Sequence, residues 1–236
     1  MSTSASDSNP SQVPKDTKER IKASYDVIAP KYNAWTTKHS GLRLEYLSKV
    51  LELLPLSNPS QRLRFLELGC GAGLPVTHKL LSYPTVHVTA NDISTAQIEL
   101  ARGHLLGDTE ENAGNAKRLT LIEGDMTKLS FPDQSFDAVL AFYSLIHLPR
   151  VEQTEMIRKI TRWVKPGGYL LANFAESDSE AIVMEKWLDE NDWMFWSGWG
   201  KDETLKIVED AGLQIILGEV SKDVVDASFL WVIAKR

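Results

Sequence analysis

The chain has 236 residues, 43% of them apolar and 25% charged. That is the balance of a folded globular protein, and it excludes a wholly disordered or collagen-like chain. Twenty-six Lys and Arg against 32 Asp and Glu leave a net charge of −6, which argues against nucleic acid or an anionic membrane as partner.

Residues 1–15 are rich in Ser and Pro and lack an apolar stretch or an arginine. They read as a disordered tail rather than a secretory or transit leader. No apolar run approaches the roughly 20 residues that span a bilayer, so the expected location is cytoplasmic. Over residues 16–28, Ile21, Tyr25 and Ile28 recur at helical spacing, and Pro30 is expected to end that helix. A second helix is expected over 41–54, before the turn marked by Pro55, Asn58 and Pro59. Residues 16–60 therefore read as a helical cap.

From Arg64 onward, short apolar runs alternate with helical patterns. The runs cover 65–68, 86–90, 119–122, 136–142, 169–174, 213–217 and 229–234, and helices are expected near 74–82, 94–106, 150–164, 178–190 and 202–211. Continuously apolar strands separated by helices predict an α/β fold, a doubly wound, mostly parallel sheet covered on both faces. The last two runs have no helix between them, so they should close the seven-stranded sheet as a C-terminal antiparallel hairpin. Residues 61–236 are expected to form this Rossmann-like core and, with the cap, a single domain.

Phe65-Leu66-Glu67-Leu68-Gly69-Cys70-Gly71-Ala72-Gly73 follows the first strand and leads into a helix. Glycines permit a tight turn and close approach of a ligand to the backbone, and a helix start offers free N–H groups to an anion. Asp92, at the end of the second strand, can accept the hydroxyls of a ribose. The bland alternative is a plain strand–helix connection. A dinucleotide fingerprint needs a third glycine where Leu74 stands, which speaks against a nicotinamide-dependent oxidoreductase. Cys70, the single cysteine, allows no internal disulfide and no cysteine-based zinc site; in this turn it reads as a small packed residue.

The Glu67-to-Gly73 stretch resembles the first motif of class I S-adenosylmethionine-dependent methyltransferases. Asp92-Ile93, Gly124-Asp125-Met126, the 131–137 segment and Val164-Lys165-Pro166-Gly167-Gly168 follow at similar spacing. The resemblance implies S-adenosyl-L-methionine as cofactor, contacted by Glu67, Gly69, Cys70, Gly71, Gly73, Asp92, Ile93, Asp125, Met126, Ala141 and Phe142. Tyr25-Asp26 and Ala29 to Tyr32 resemble the cap helix of small-molecule and quinone methyltransferases, which implies that Tyr25 and Tyr32 close over the methionine end. Packing of the cap is the alternative for both tyrosines.

The resemblance also implies a small-molecule methyl acceptor, with the chain a monomer or homodimer. His147, just beyond the fourth strand, is the candidate catalytic base because its ordinary pKa suits proton transfer near neutrality. The competing reading is a histidine that only bonds to backbone. Trp35, His39, Tyr143, Trp193, Trp196 and Trp199 are candidates to line an apolar acceptor pocket, the last three from an aromatic-rich insertion near 178–200. Packing of the cap or a dimer contact would also account for that insertion. Asn173 and Asp178 do not complete a metal-ligand set, and no metal is expected. Cofactor binding without methyl transfer stays open.

Overall fold

A computed structural model describes residues 13–110, 112–223 and 227–236, apart from the His39 side chain. Helix α1 (Thr17–Thr36) buries Ile21, Ser24, Tyr25, Ile28 and Ala29, an i, i+3, i+4 stripe along one side. It continues through Pro30, contrary to the expected stop. Proline in a helix interior costs about 3 kcal/mol; here the buried stripe on the N-terminal side of Pro30, and Tyr32 packing beyond it, hold the helix together. Helix α2 (Ser40–Leu51) follows after a 3₁₀ turn.

The main sheet uses β1 (Leu63–Leu68), β2 (Val86–Asp92), β3 (Leu119–Glu123), β4 (Phe136–Ala141) and β5 (Val164–Ala175). The late hairpin completes it and is set out after the helices. Between the strands run α3 (Val76–Leu81), α4 (Thr95–Leu106) and α5 (Arg150–Trp163). The Ser94 hydroxyl caps α4, accepting from the Gln97 N–H at 3.1 Å.

Two further strands, β6 (Asp178–Glu185) and β7 (Trp193–Trp199), form a separate antiparallel sheet where the helix near 178–190 was expected. The reason lies in composition and in the turn. Ile182, Val183 and the aromatic run of β7 favour a pleated surface. The buried Asp192 carboxylate accepts from the N–H groups of Trp187, at 2.5 Å, and Leu188, at 2.8 Å, closing the loop between the strands.

Helix α6 (Lys201–Asp210) leads to β8 (Gln214–Lys222) and β9 (Ser228–Lys235). The sheet order is β3-β2-β1-β4-β5-β9-β8, parallel from β3 to β5 and antiparallel at both β9 contacts. The doubly wound seven-stranded sheet with its terminal hairpin thus stands as expected. Residues of α2, α3 and α4 fill one face of it, and those of α5 and α6 the other. Helix α1 packs with β7 in a third cluster, Ile21, Tyr25 and Ile28 against Trp193, Met194 and Phe195. That cluster hangs α1 and the β6–β7 flap over the edge where β1, β2 and β4 end. Among the described residues no helix is long and apolar enough to cross a membrane.

Candidate active site

The turn after β1 is built for close approach. Gly69 and Gly71 have φ of +73° and +54°, and a Cβ on Gly69 would fall 2.3 Å from Ser144 Cβ. The Asp92 carboxylate holds this turn, accepting from Gly71 N at 2.8 Å and Ser94 N at 2.9 Å. Burial raises its pKa to about 6 against the pull of those two N–H groups. Two bonds leave lone pairs on both oxygens for further donors.

A cleft opens beside this turn, lined by Gly69, Gly71, Asp92, Ile93, Gln97, Asp125, Met126 and Phe142. Gln97 was not anticipated. Its Oε1 accepts from Asn33 on α1 at 3.1 Å, while its buried Nε2 has no hydrogen-bond partner. A buried amide donor facing a cleft is costly unless a ligand meets it. The Ser94-x-x-Gln97 spacing, a capping pattern, was its one trace in the sequence. Since Ser94 N already bonds to Asp92, the glutamine side chain turns to the cleft instead.

Helix α1 closes the outer side of the cleft. Lys18 Nζ lies 2.9 Å from Asp125 Oδ2 and 2.7 Å from Glu152 Oε2. Burial works to raise the Asp125 pKa, but the bonds from Lys18 and Thr127 outweigh it and hold the carboxyl below its usual range. Lys22 reaches Glu123, Thr95 and the Ile93 carbonyl, and Asp26 accepts from Ser94 and Ala96 N. As two among 26 basic residues, the lysines carried no signal of this role.

A second space of about 380 Å³ adjoins the first, within the size range of small-molecule sites. Trp35, Trp187, Trp196 and Phe229 form much of its wall, with Arg43, Glu176 and Asp223 as charged members. Trp35 and Trp187 meet edge to face at 5.4 Å, and Trp187 and Trp196 at 5.5 Å. Tyr25, Tyr32, Tyr143 and His147 line both spaces and mark their junction.

At that junction His147 Nδ1 lies 2.8 Å from the Phe195 carbonyl, and Nε2 lies 2.9 Å from Tyr25 Oη. A carbonyl only accepts, so Nδ1 carries the proton and Nε2 accepts from the tyrosine. Burial lowers the His147 pKa to about 4 despite the bond to Phe195, and burial raises that of Tyr25 well above 10. The pair is neutral at pH 7. Tyr143 is a non-glycine residue at φ +53°. Its N–H donates to Asn173 Oδ1 at 2.6 Å and its hydroxyl to Asp223 Oδ2 at 2.7 Å. Such fixing at a sparsely populated φ is typical of functional positions.

The other anticipated residues are placed as follows. Glu67 is buried behind the turn, accepting from Thr77, and burial raises its pKa to about 8. Glu67 and Cys70 face a small side cleft shared with Tyr32 and Arg43. Gly73 lies against Leu105 and Ala141 ends β4 in the core, and neither is among the residues lining the two spaces described above. Trp193 does not line the second space: it is buried against α1, with the Arg20 guanidinium 4.0 Å from its ring. Nor does Trp199, whose indole donates to the Arg150 carbonyl at 3.1 Å. Strand alternation explains both, because Trp196 points opposite to Trp193 and Trp199. His39's side chain lies outside the described residues. Arg43, unanticipated, is buried, faces both the side cleft and the acceptor space, and has an unpartnered Nε.

Comparison with known proteins agrees with this geometry. A family described as methyltransferase domain matches residues 65–168. The chain is 35% identical over 106 residues to a sterol 24-C-methyltransferase of Gibberella zeae, a match covering 45% of this chain and 26% of that protein. The chain thus matches about a quarter of the length of the first curated relatives. Among solved structures, the 4+2 cyclase SpnF aligns with a TM-score of 0.70 at 18% identity, covering 96% of this chain and 99% of that one. The 1,6-didemethyltoxoflavin-N1-methyltransferase of Burkholderia thailandensis aligns with a TM-score of 0.69 at 15% identity, covering 95% and 91%. With this sheet order and this glycine turn, the chain has the class I, Rossmann-like fold of S-adenosylmethionine-dependent methyltransferases.

Proposed function

We propose that the protein transfers the methyl group of S-adenosylmethionine to a small, partly apolar organic acceptor. The observation that carries this reading is the junction itself: a cleft bounded by the glycine turn and Asp92 opens onto an aromatic-walled space at Tyr25 and His147. The cofactor fits the residues present. Asp92 has lone pairs for ribose hydroxyls, the orphaned Gln97 Nε2 supplies a donor beside them, and Asp125 and Met126 border the place for adenine. Its sulfonium supplies an activated methyl electrophile when bound.

The protein's part is then positioning and exclusion of water, a contribution of up to about 7–11 kcal/mol at best. Tyr32, Trp35, Trp187 and Trp196 hold the acceptor. Tyr25 and His147 stand beside the place its nucleophilic atom would occupy. The neutral imidazole accepts the phenol's hydrogen bond and, its pKa lowered to about 4 by burial, is a weaker base for an acceptor proton than an ordinary histidine. Arg43 offers its guanidinium to a carboxylate of either ligand. An apolar, ring-bearing acceptor is supported by the aromatic wall and by the sterol named for the relative above.

The test is transfer of labelled methyl from S-adenosylmethionine to a panel of ring-bearing acceptors, including sterols, phenols and heteroaromatic amines. Label in any acceptor, lost in Asp92→Ala, supports the reading. Cofactor binding without transfer across the panel supports a second one, binding without methylation. That second reading is favoured by the shared fold of the cyclase.

A further inference from the structure

A separate hollow lies at the opposite edge of the main sheet, where β1, β2 and β3 begin. Arg62 precedes β1, His87 is the second residue of β2, and Lys117 and Arg118 lead into β3. These four and Thr85 line one concavity, and among the described residues no carboxylate lines it. In a chain of net charge −6 this is a marked segregation of positive charge.

The Arg118 guanidinium is pinned by neutral oxygens. It donates to the carbonyls of Leu81 at 2.9 Å, Tyr83 at 3.0 Å and Val86 at 3.2 Å, and to Asn115 Oδ1 at 3.1 Å. Its charge is therefore fixed in place without being cancelled. Arg62 and Lys117 are exposed at the rim, and the buried Thr85 Oγ1 has no hydrogen-bond partner. His87 registers the field: partial burial, then Arg62, Arg118 and Arg64, hold its imidazole below the usual range.

We propose that this hollow binds a small multivalent oxyanion of the phosphate type, held by Arg62, Lys117 and Arg118 with the Thr85 hydroxyl as a further donor. Four of the five Arg118 N–H groups are already committed to protein oxygens, so Arg118 contributes fixed positive charge and its Nε–H, while the exposed Arg62 guanidinium supplies the fork that matches the oxygen spacing of such anions. The site is remote from the glycine turn and does not depend on methyl transfer.

The test follows the His87 imidazole by NMR in the full chain, with and without pyrophosphate, at ionic strength matched with sodium chloride. Pyrophosphate is expected to raise the His87 pKa saturably, by about 0.5 unit or more, and to leave His147 unmoved. A variant carrying Arg62→Gln and Lys117→Gln, both at exposed positions, should lose the shift and keep the wild-type unfolding midpoint. An equal shift in sodium chloride would mean screening alone and would overturn the proposal. So would a shift that never saturates or that survives in the variant. Binding of a ten-nucleotide single strand with no response to pyrophosphate would also overturn it, in favour of a polyanion surface.

Discussion

Tyr25, on the cap helix, donates its hydroxyl to Nε2 of His147, beyond the fourth strand, across 2.9 Å. The bond joins residues 122 positions apart and sits where the two cavities meet. It makes the cap part of the site: with Tyr25 displaced, the one basic nitrogen at the junction loses its partner.

The pair predicts a pH dependence. The His147 pKa falls to about 4 in the folded chain from an unfolded value near 6.5. A depressed histidine contributes stability that is present above about pH 6.5 and lost as pH falls through about 4. Nitrogen-15 spectra should therefore show a neutral imidazole protonated at Nδ1 at pH 6. An imidazolium signal at that pH would refute the assignment. Tyr25→Phe should cost about 1 kcal/mol of stability and lower turnover by roughly 100-fold if the phenol relays a proton.

Glu67 behaves in the opposite sense. Burial raises its pKa from 4.5 to about 8, so its contribution is fully present below about pH 4.5 and is lost as pH rises through 8. Glu67→Gln removes the ionisation, and its stability should lack the part of the wild-type decline between about pH 4.5 and 8 that Glu67 causes. The difference at pH 8 is on the order of a few kcal/mol. Denaturant unfolding at pH 5 and pH 8 measures it; parallel curves for the two proteins would show that Glu67 is not buried as described.

Lys18 bridges Asp125 and Glu152 and occupies the carboxylate that borders the place for adenine. Cofactor access then requires this latch to yield. Lys18→Met should speed association of S-adenosylhomocysteine several-fold at low salt, with a modestly smaller gain at high salt because these partly exposed ion pairs are only partly screened. Stopped-flow tryptophan fluorescence reads the rate. An unchanged rate would mean that α1 does not limit access.

The two tryptophans of β7 separate structure from site. Trp193→Ala opens a cavity under α1 and should destabilise the protein by about 3–5 kcal/mol. Trp196→Ala opens the wall of the acceptor space instead, leaving stability within about 1 kcal/mol while weakening acceptor binding. Equal destabilisation by both would place Trp196 in the core as well.

The main sheet was legible because each strand is a continuous apolar run punctuated by glycine, proline or a polar turn. The glycine turn with Asp92 was legible for the same local reasons, and the structure places both on one cleft. The flap was not legible. Asp189, Glu190 and Asp192 read as an acidic turn, but nothing local separates hairpin from helix over 178–185; the Asp192 carboxylate closes the loop, and that bond exists only once the chain has turned. Lys18, Arg43 and Gln97 were hidden because their roles come from pairing or orphaning across distant segments, which spacing does not encode. Trp193 and Trp199 were assigned to the pocket from composition alone, and the alternation of a strand sent them elsewhere.

The cleft beside Asp92 is the proposed cofactor site, and calorimetric titration of the purified protein with S-adenosylhomocysteine, repeated with Asp92→Ala and with NAD, measures its occupancy. Micromolar binding of S-adenosylhomocysteine is expected, weakened at least tenfold in Asp92→Ala, with no binding of NAD. Absence of S-adenosylhomocysteine binding, or NAD bound in its place, would refute the assignment.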